Sequence, residues 1–225
     1  MTSPYAGWLP PTHTNVISST HLKGGGTTKT TCAILLGHAL SRFGHSVRVV
    51  SYDALHSAVS WAEKAQDHLS LTAGAYRPWP ENYFVEPANT PEELYGLVHG
   101  STEEFTIIDG GPADPDALQT IARLSHRIIL PTEPSMLVAE QVTPVVEYVN
   151  EVEEEQGRKI PCQVLLVRVM TGSKLTGTVE DALSAVNISM MKTRIPNNGM
   201  VTRAAHTVPT RLYGYEFVAE ELLAA

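Results

Sequence analysis

The chain reads as an α/β protein built on a mostly parallel, twisted sheet with helices on both faces. Three observations carry this expectation. Short apolar runs alternate with helical patterns along the chain, the runs are near-continuous in Val, Ile and Leu, and the first of them feeds a glycine-rich turn that opens a helix. Strands that are apolar on both sides need cover on both faces, which a parallel sheet between helix layers supplies. With 225 residues the chain can bury a sizeable core, and it reads as a single domain over 1–225 behind an irregular lead over 1–14.

Taken in order, Asn15 to Ser19 is a short β-prone run after a proline-rich lead. A helix is expected from Lys29 to Phe43, where Ala33, Leu36, Ala39 and Leu40 keep helical spacing and Gly44 ends it. Val47 to Ser51 is the next strand. The stretch from Trp61 to Tyr83, with Pro78-Trp79-Pro80, is the poorest in pattern and reads as a surface excursion. Thr90-Pro91-Glu92-Glu93 opens a helix with Thr as N-cap, Pro at the first position and Glu completing a capping box. Phe105 to Asp109 is a strand ending in an acid, and Asp114-Pro115 starts another helix. Arg127 to Leu130 is a strand stopped at Pro131, followed by a long helix from Met136 to Glu155 and a strand from Gln163 to Val167.

Composition narrows the function. At 43% hydrophobic and 18% charged residues the chain has the make-up of a soluble globular protein, and no run of 18 apolar residues suggests a membrane span. Met1 to Pro11 lacks the basic start and apolar stretch of a secretory signal. Cys32 and Cys162 lie far apart without metal-type spacing, as expected of two buried thiols in a reducing cytoplasm. A net charge of −8 argues against coating nucleic acid through bulk positive charge. Between Gln156 and Tyr215, however, eight basic residues face only Glu180 and Asp181, a local excess of +6. Scattered solvated charges or a nucleic-acid-facing patch would both produce it.

The chemistry sits in Lys23-Gly24-Gly25-Gly26-Thr27-Thr28-Lys29-Thr30-Thr31, between the first strand and the first helix. Glycines let backbone N–H groups approach a phosphate closely, and the helix start adds the positive end of its dipole. Lys29 would bridge β- and γ-phosphate oxygens, and the Thr30 hydroxyl would complete a Mg²⁺ shell. The loop departs from G-x-x-x-x-G-K-S/T at two places, with Lys23 at the first glycine position and Thr28 at the last.

Those departures resemble the deviant Walker A loop, K-G-G-x-G-K-T-T, of ParA-type members of the ParA/MinD superfamily of P-loop ATPases. Here the two lysines stand six apart rather than five, which one extra glycine, Gly26, explains. Val49-Val50-Ser51-Tyr52-Asp53-Ala54-Leu55-His56-Ser57 is similar to the family segment V-V-D-x-D-P-Q-G-S, with Asp53 at the second aspartate and Ser51 at the first. Asp53 is then expected to orient the attacking water or work the switch, although it also reads as a turn residue. Phe105 to Pro112 resembles a Walker B strand, in which Asp109 would hold Mg²⁺ through water. Ile195-Pro196-Asn197-Asn198 resembles the family's I-P-R-N segment near the adenine, which places Pro196 and Asn197 beside the base.

The resemblance implies a small-form, Mg²⁺-dependent ATPase without an N-terminal helix-turn-helix, slow until a partner stimulates it. Lys23, Lys29 and Asp53 would carry catalysis, Lys23 by reaching the partner subunit's nucleotide. Residues 24–31 would hold ATP: Gly24, Gly25, Gly26, Thr27, Thr28, Lys29, Thr30 and Thr31. An ATP-bound homodimer would bind non-specific double-stranded DNA, and a ParB-type centromere-binding protein would release it in plasmid or chromosome segregation. The protein would be cytoplasmic and nucleoid-associated when ATP-bound. Lys174, Lys192, Arg194, Arg203 and Arg211 are the basic side chains expected to meet DNA. A nucleotide-binding scaffold that positions cargo with little hydrolysis is the alternative. A dethiobiotin synthetase-like ligase would need substrate-pocket motifs, an iron–sulfur relative would need more cysteines, and membrane attachment would need a basic amphipathic tail where Glu216 to Ala225 is acidic.

Overall fold

A computed structural model describes residues 4–22, 28–71, 78–112 and 114–224. Six strands form one parallel sheet: β1 (Asn15–His21), β2 (Val47–Tyr52), β3 (Tyr83–Pro87), β4 (Phe105–Pro112), β5 (Arg127–Thr132) and β6 (Cys162–Leu166), in the order β3-β2-β4-β1-β5-β6. The helices are α1 (Lys29–Arg42), α2 (Ser57–Leu71), α3 (Pro91–His99), α4 (Pro115–Leu124), α5 (Val138–Gln156), α6 (Lys174–Ala185), α7 (Gly199–Ala204) and α8 (Tyr215–Leu223).

Alternation along the strands sorts the core into two faces, because successive side chains of a strand point to opposite sides. Ile17, Val47, Val49, Ile107 and Ile129 pack under α1, α2 and α8. Val16, Val50 and Ile108 pack under α3 and α4, and Ile128, Leu130, Val164 and Leu166 under α4, α5 and α6. The expected α/β class with helices on both faces is the observed one. β1 lies at the centre, between β4 and β5, so the chain leaves it toward β2 on one side and returns to β5 on the other. Ligands of such sheets sit beyond the carboxyl ends of the strands at this reversal.

Local signals hold where side chains specify them. Thr90 accepts from the Glu93 N–H at 3.1 Å with Pro91 in the first turn, and Asp114 accepts from the Asp116 N–H at 3.0 Å. The capping box is displaced by one residue: the Glu93 carboxylate receives the N–H of Asn89, at 2.8 Å. Residues 4–14 are irregular yet anchored, since the Trp8 ring lies 4.5 Å from both Tyr5 and Tyr95, and His99 Nε2 donates to the Leu9 carbonyl at 2.9 Å.

The described parts of the stretch from Trp61 to Tyr83, residues 61–71 and 78–83, are not the surface excursion expected, and residues 72–77 lie outside the described residues. The first part is α2, whose Ala58, Trp61 and Ala65 face the core, with Trp61 only 4% exposed. The Trp61 indole donates to the Thr207 carbonyl at 2.8 Å, and Trp79 stacks on Tyr83 with centroids 4.8 Å apart. The apolar stripe is narrow and small apart from its one Trp, so periodicity shows it weakly. Burial pushes the thiols of Cys32 and Cys162 up to about 12, which makes both chemically quiet; Cys32 is buried as expected, whereas Cys162 is only half-buried.

Candidate nucleotide site

The carboxyl ends of β1, β4 and β2 carry one rung of polar residues. Ser19 pairs with Asp109, and Asp109 pairs with Ser51. The Ser19 hydroxyl donates to the Lys29 carbonyl at 2.9 Å, which fixes the first turn of α1 to the central strand. Lys23, Gly24, Gly25, Gly26 and Thr27 lie outside the described residues.

Thr28 adopts φ 61° and ψ 18°, the left-handed region, and precedes the helix with its carbonyl accepting from the Cys32 N–H at 2.8 Å. This is the position where the P-loop pattern carries glycine. The backbone therefore keeps a glycine-like conformation while the side chain is β-branched, an arrangement that costs free energy. Thr28→Gly should stabilise the protein by about 1 kcal/mol, net of the extra entropy glycine brings to the unfolded chain. Denaturant titration checks this, and a less stable variant would mean that the Thr28 side chain contributes more than the strain costs.

Lys29 is buried, and this desolvation lowers the pKa of its ammonium, while Asp109 and Asp53 oppose the shift. Asp109 is 1% exposed, and neither carboxylate oxygen has a hydrogen bond of regular geometry from protein. Burial pushes its carboxyl up to about 7 and Asp53 adds to the rise, while the nearby Thr30 hydroxyl and Lys29 pull against it. Asp109 thus lies within electrostatic reach of Lys29, Thr30 and Asp53, and Lys29 within reach of Asp53. Asp53 also holds its own turn, since Oδ1 accepts from the Leu55 N–H and Oδ2 from the Ser57 hydroxyl, each at 3.1 Å. The two readings of Asp53 are compatible.

β4 runs past Asp109 to Pro112, three residues beyond the expected end, because Gly110 and Gly111 let the strand continue between crowded neighbours. A Cβ on Gly110 would lie 2.6 Å from Thr20 Oγ1 and 2.8 Å from Ile121 Cδ1, and one on Gly111 would lie 3.0 Å from the Tyr52 carbonyl.

Beside this polar end opens a cavity of about 160 Å³, lined on one side by Thr28 and Thr31 and on the other by Pro196 and Asn197. Its floor is apolar, from Val167, Ile195, Val201 and Tyr215. The Ile195–Asn197 segment is held as an added strand-like edge: the Val169 N–H donates to Ile195 and the Asn197 N–H to Val169, at 3.0 and 2.9 Å. Asn198 is used as the N-cap of α7, accepting from the Met200 N–H at 2.9 Å. Arg168, which the sequence reading counted only as one of eight scattered cations, lines the cavity in a left-handed conformation and pairs with Glu133 at 2.5 Å. Nothing local in the sequence marks it.

The five basic residues expected to meet DNA are all exposed. Lys174 opens α6, Arg203 lies on α7, and Arg211 lines a surface recess with Arg42 and Phe43. Lys192 is anchored through its backbone N–H to Glu221 at 2.7 Å, and Arg194 is ion-paired with Glu180.

No family model matches the chain, and no curated protein does. Solved structures do. The apo form of McdA from Cyanothece superposes with a TM-score of 0.72 at 19% identity, over 93% of this chain and 100% of that one. A putative plasmid partition protein from Borrelia burgdorferi, bound to AMPPNP, gives 0.71 at 15% identity, over 94% and 99%. Cobyrinic acid a,c-diamide synthase from Mycobacterium smegmatis, with ADP and magnesium, gives 0.66 at 18% identity, over 93% and 94%. The chain shares its α/β fold with these proteins, and with the cell division ATPase MinD of Pyrococcus furiosus. Among the described residues no helix is long and apolar enough to cross a membrane, and no group of three or more His, Cys, Asp or Glu side chains could hold a metal by itself.

Proposed function

We propose that the chain is a Mg²⁺-dependent ATPase of the ParA type, which dimerises around ATP, holds non-specific duplex DNA in that state, and lets go after hydrolysis stimulated by a ParB-type partner. The observation that carries the nucleotide part is Lys29, at the start of α1, within electrostatic reach of a fully buried Asp109 whose oxygens lack a hydrogen bond of regular geometry. A carboxylate in that state costs several kcal/mol unless a cation meets it. Similar folds have been solved with AMPPNP, and with ADP and magnesium, which supports the choice of ligand.

The residues divide the work by position. The start of α1 and the Lys29 ammonium bind and orient the phosphates, and the Thr30 hydroxyl and Asp109 would hold Mg²⁺ beside them. When bound, the cation neutralises charge developing on the phosphoryl oxygens. The cavity floor of Val167, Ile195 and Tyr215 takes the base and excludes water, with Pro196 and Asn197 at its rim. Asp53, held by Leu55 and Ser57, orients the attacking water, and Lys23 reaches across to the partner subunit's nucleotide. Lys174, Lys192, Arg194, Arg203 and Arg211 supply DNA contacts in this reading. Gly24, Gly25, Gly26, Thr27 and Thr31 complete the phosphate loop, and residues 1–225 act as one domain.

The test is retention of non-specific duplex DNA with ATP, with ADP and without nucleotide, at one stated salt concentration. Retention with ATP alone is the expected outcome. Equal or absent retention in all three states sinks the DNA reading and favours the cargo-positioning scaffold.

A further inference from the structure

Two buried polar side chains stand side by side at the end of the sheet without regular protein partners. Ser51 is fully buried and its hydroxyl has no hydrogen-bond partner, and neither oxygen of Asp109 has one of regular geometry, the Thr30 hydroxyl lying nearby. The register settles which way they point. Val49 pairs with Ile107, and both belong to the core under α1; Val50 pairs with Ile108, and both belong to the opposite face. Ser51 pairs with Asp109 one step further on, so both side chains return to the α1 side, where Lys29 lies. Ser19 completes the rung beyond Asp109, but its hydroxyl is committed to the Lys29 carbonyl.

A buried hydroxyl left unpaired costs about 1–3 kcal/mol, and a second orphan beside it makes a shared partner the economical explanation. The packing does not require a hydroxyl at this position. What Ser51 gives its neighbours is a backbone carbonyl, which accepts from the Ala88 N–H at 2.9 Å and which any residue would supply. A carboxylate at position 51 would place a third negative charge beside Asp53 and Asp109, with Lys29 as the cation already shown near both. A neutral donor–acceptor adds hydrogen bonding without that repulsion.

We propose that Ser51 is a positioning residue for the divalent cation, its hydroxyl joining Asp109 in holding the cation's water shell. This rests on the Mg²⁺–nucleotide reading above. It assigns to this chain a site in which one carboxylate and one hydroxyl, on neighbouring strands, share the outer coordination. Loss of such an outer partner costs about 10–100-fold in metal affinity in other metal sites.

The experiment is a Mg²⁺ titration of a fluorescent ADP analogue bound to the wild-type protein and to Ser51→Ala, with ADP affinity also measured in EDTA. Thermal melts of both nucleotide-free proteins show that they fold. Ser51→Ala should raise the Mg²⁺ midpoint by about tenfold while leaving the Mg²⁺-free ADP affinity within about twofold. A general structural defect would instead weaken both. Should the alanine variant not fold, Ser51→Cys, close in volume and a weak donor, is expected to give the same shift. An unchanged midpoint overturns the role of Ser51 and leaves the nucleotide reading standing. Wild-type protein that fails to bind ADP, or binds it without regard to Mg²⁺, overturns both.

Discussion

Lys29→Ala should abolish useful nucleotide binding, lowering affinity for Mg²⁺–ATP by roughly 100-fold, because each charge-assisted hydrogen bond to phosphate is worth about 1.5–3 kcal/mol. The effect is expected to be large because Lys29 is held in place before any ligand arrives. It is buried at the first turn of α1, with Asp53 and Asp109 in reach of its charge. The scaffold should survive the change. Ser19 anchors the helix start through the backbone carbonyl of residue 29, which alanine retains, and the core residues of α1 are untouched. Calorimetric titration of both proteins, with melts as a control for folding, gives the answer. An affinity within a few-fold of wild type would place the phosphates elsewhere and remove the basis for the proposed switch. In the DNA assay the same variant should lose ATP-dependent retention and keep whatever binding survives without nucleotide.

How much of this was legible in the sequence depends on where each signal lives. α1, α3 and α4 were readable because their start signals are local: a glycine-rich turn before Lys29, Thr90-Pro91, and Asp114-Pro115. Asp109 was readable because a run of β-branched residues ends on it, so its place at a strand's carboxyl end follows from the pattern. α2 was lost because the buried stripe among its described side chains is two alanines and a tryptophan, and β3 because only tertiary contact with β2 makes Tyr83–Pro87 a strand. β4 was cut short at Gly110, since glycine in a strand reads as an ending unless one knows that Thr20 and Ile121 leave no room for a side chain. The cavity is the least local feature. Thr28, Arg168 and Tyr215 meet there only once α1, the end of β6 and α8 are assembled, and no short-range spacing connects them. Pro196 and Asn197, singled out by the motif resemblance, line this cavity together with Arg168, whose ion pair with Glu133 no motif marks.

Asp109→Asn should make the nucleotide-free protein more stable and the protein as a whole less capable. In the ligand-free state the Asp109 carboxylate is buried without a regular partner, and Asp53 lies close enough to repel it. An amide of the same shape removes the charge and keeps the packing, and its own N–H groups have the unpartnered Ser51 hydroxyl on the neighbouring strand. The gain is expected at about 1–3 kcal/mol, which raises Tm by roughly 2–4 °C per kcal/mol for a chain of this size. The loss appears with ligand. Wild-type protein should gain thermal stability when Mg²⁺ is added on top of ADP, since a ligand that binds only the native state stabilises it by mass action, and the asparagine variant should lose most of that increment. Melting both proteins without ligand, with ADP in EDTA, and with ADP and Mg²⁺ separates the two effects. A variant less stable than wild type in the ligand-free state would mean that Asp109 is structurally satisfied after all. A full Mg²⁺ increment in the variant would move the cation away from β4. The expected pattern is a residue kept for its ligand at a cost to the empty fold, since β4 could end on a neutral side chain and pack as well.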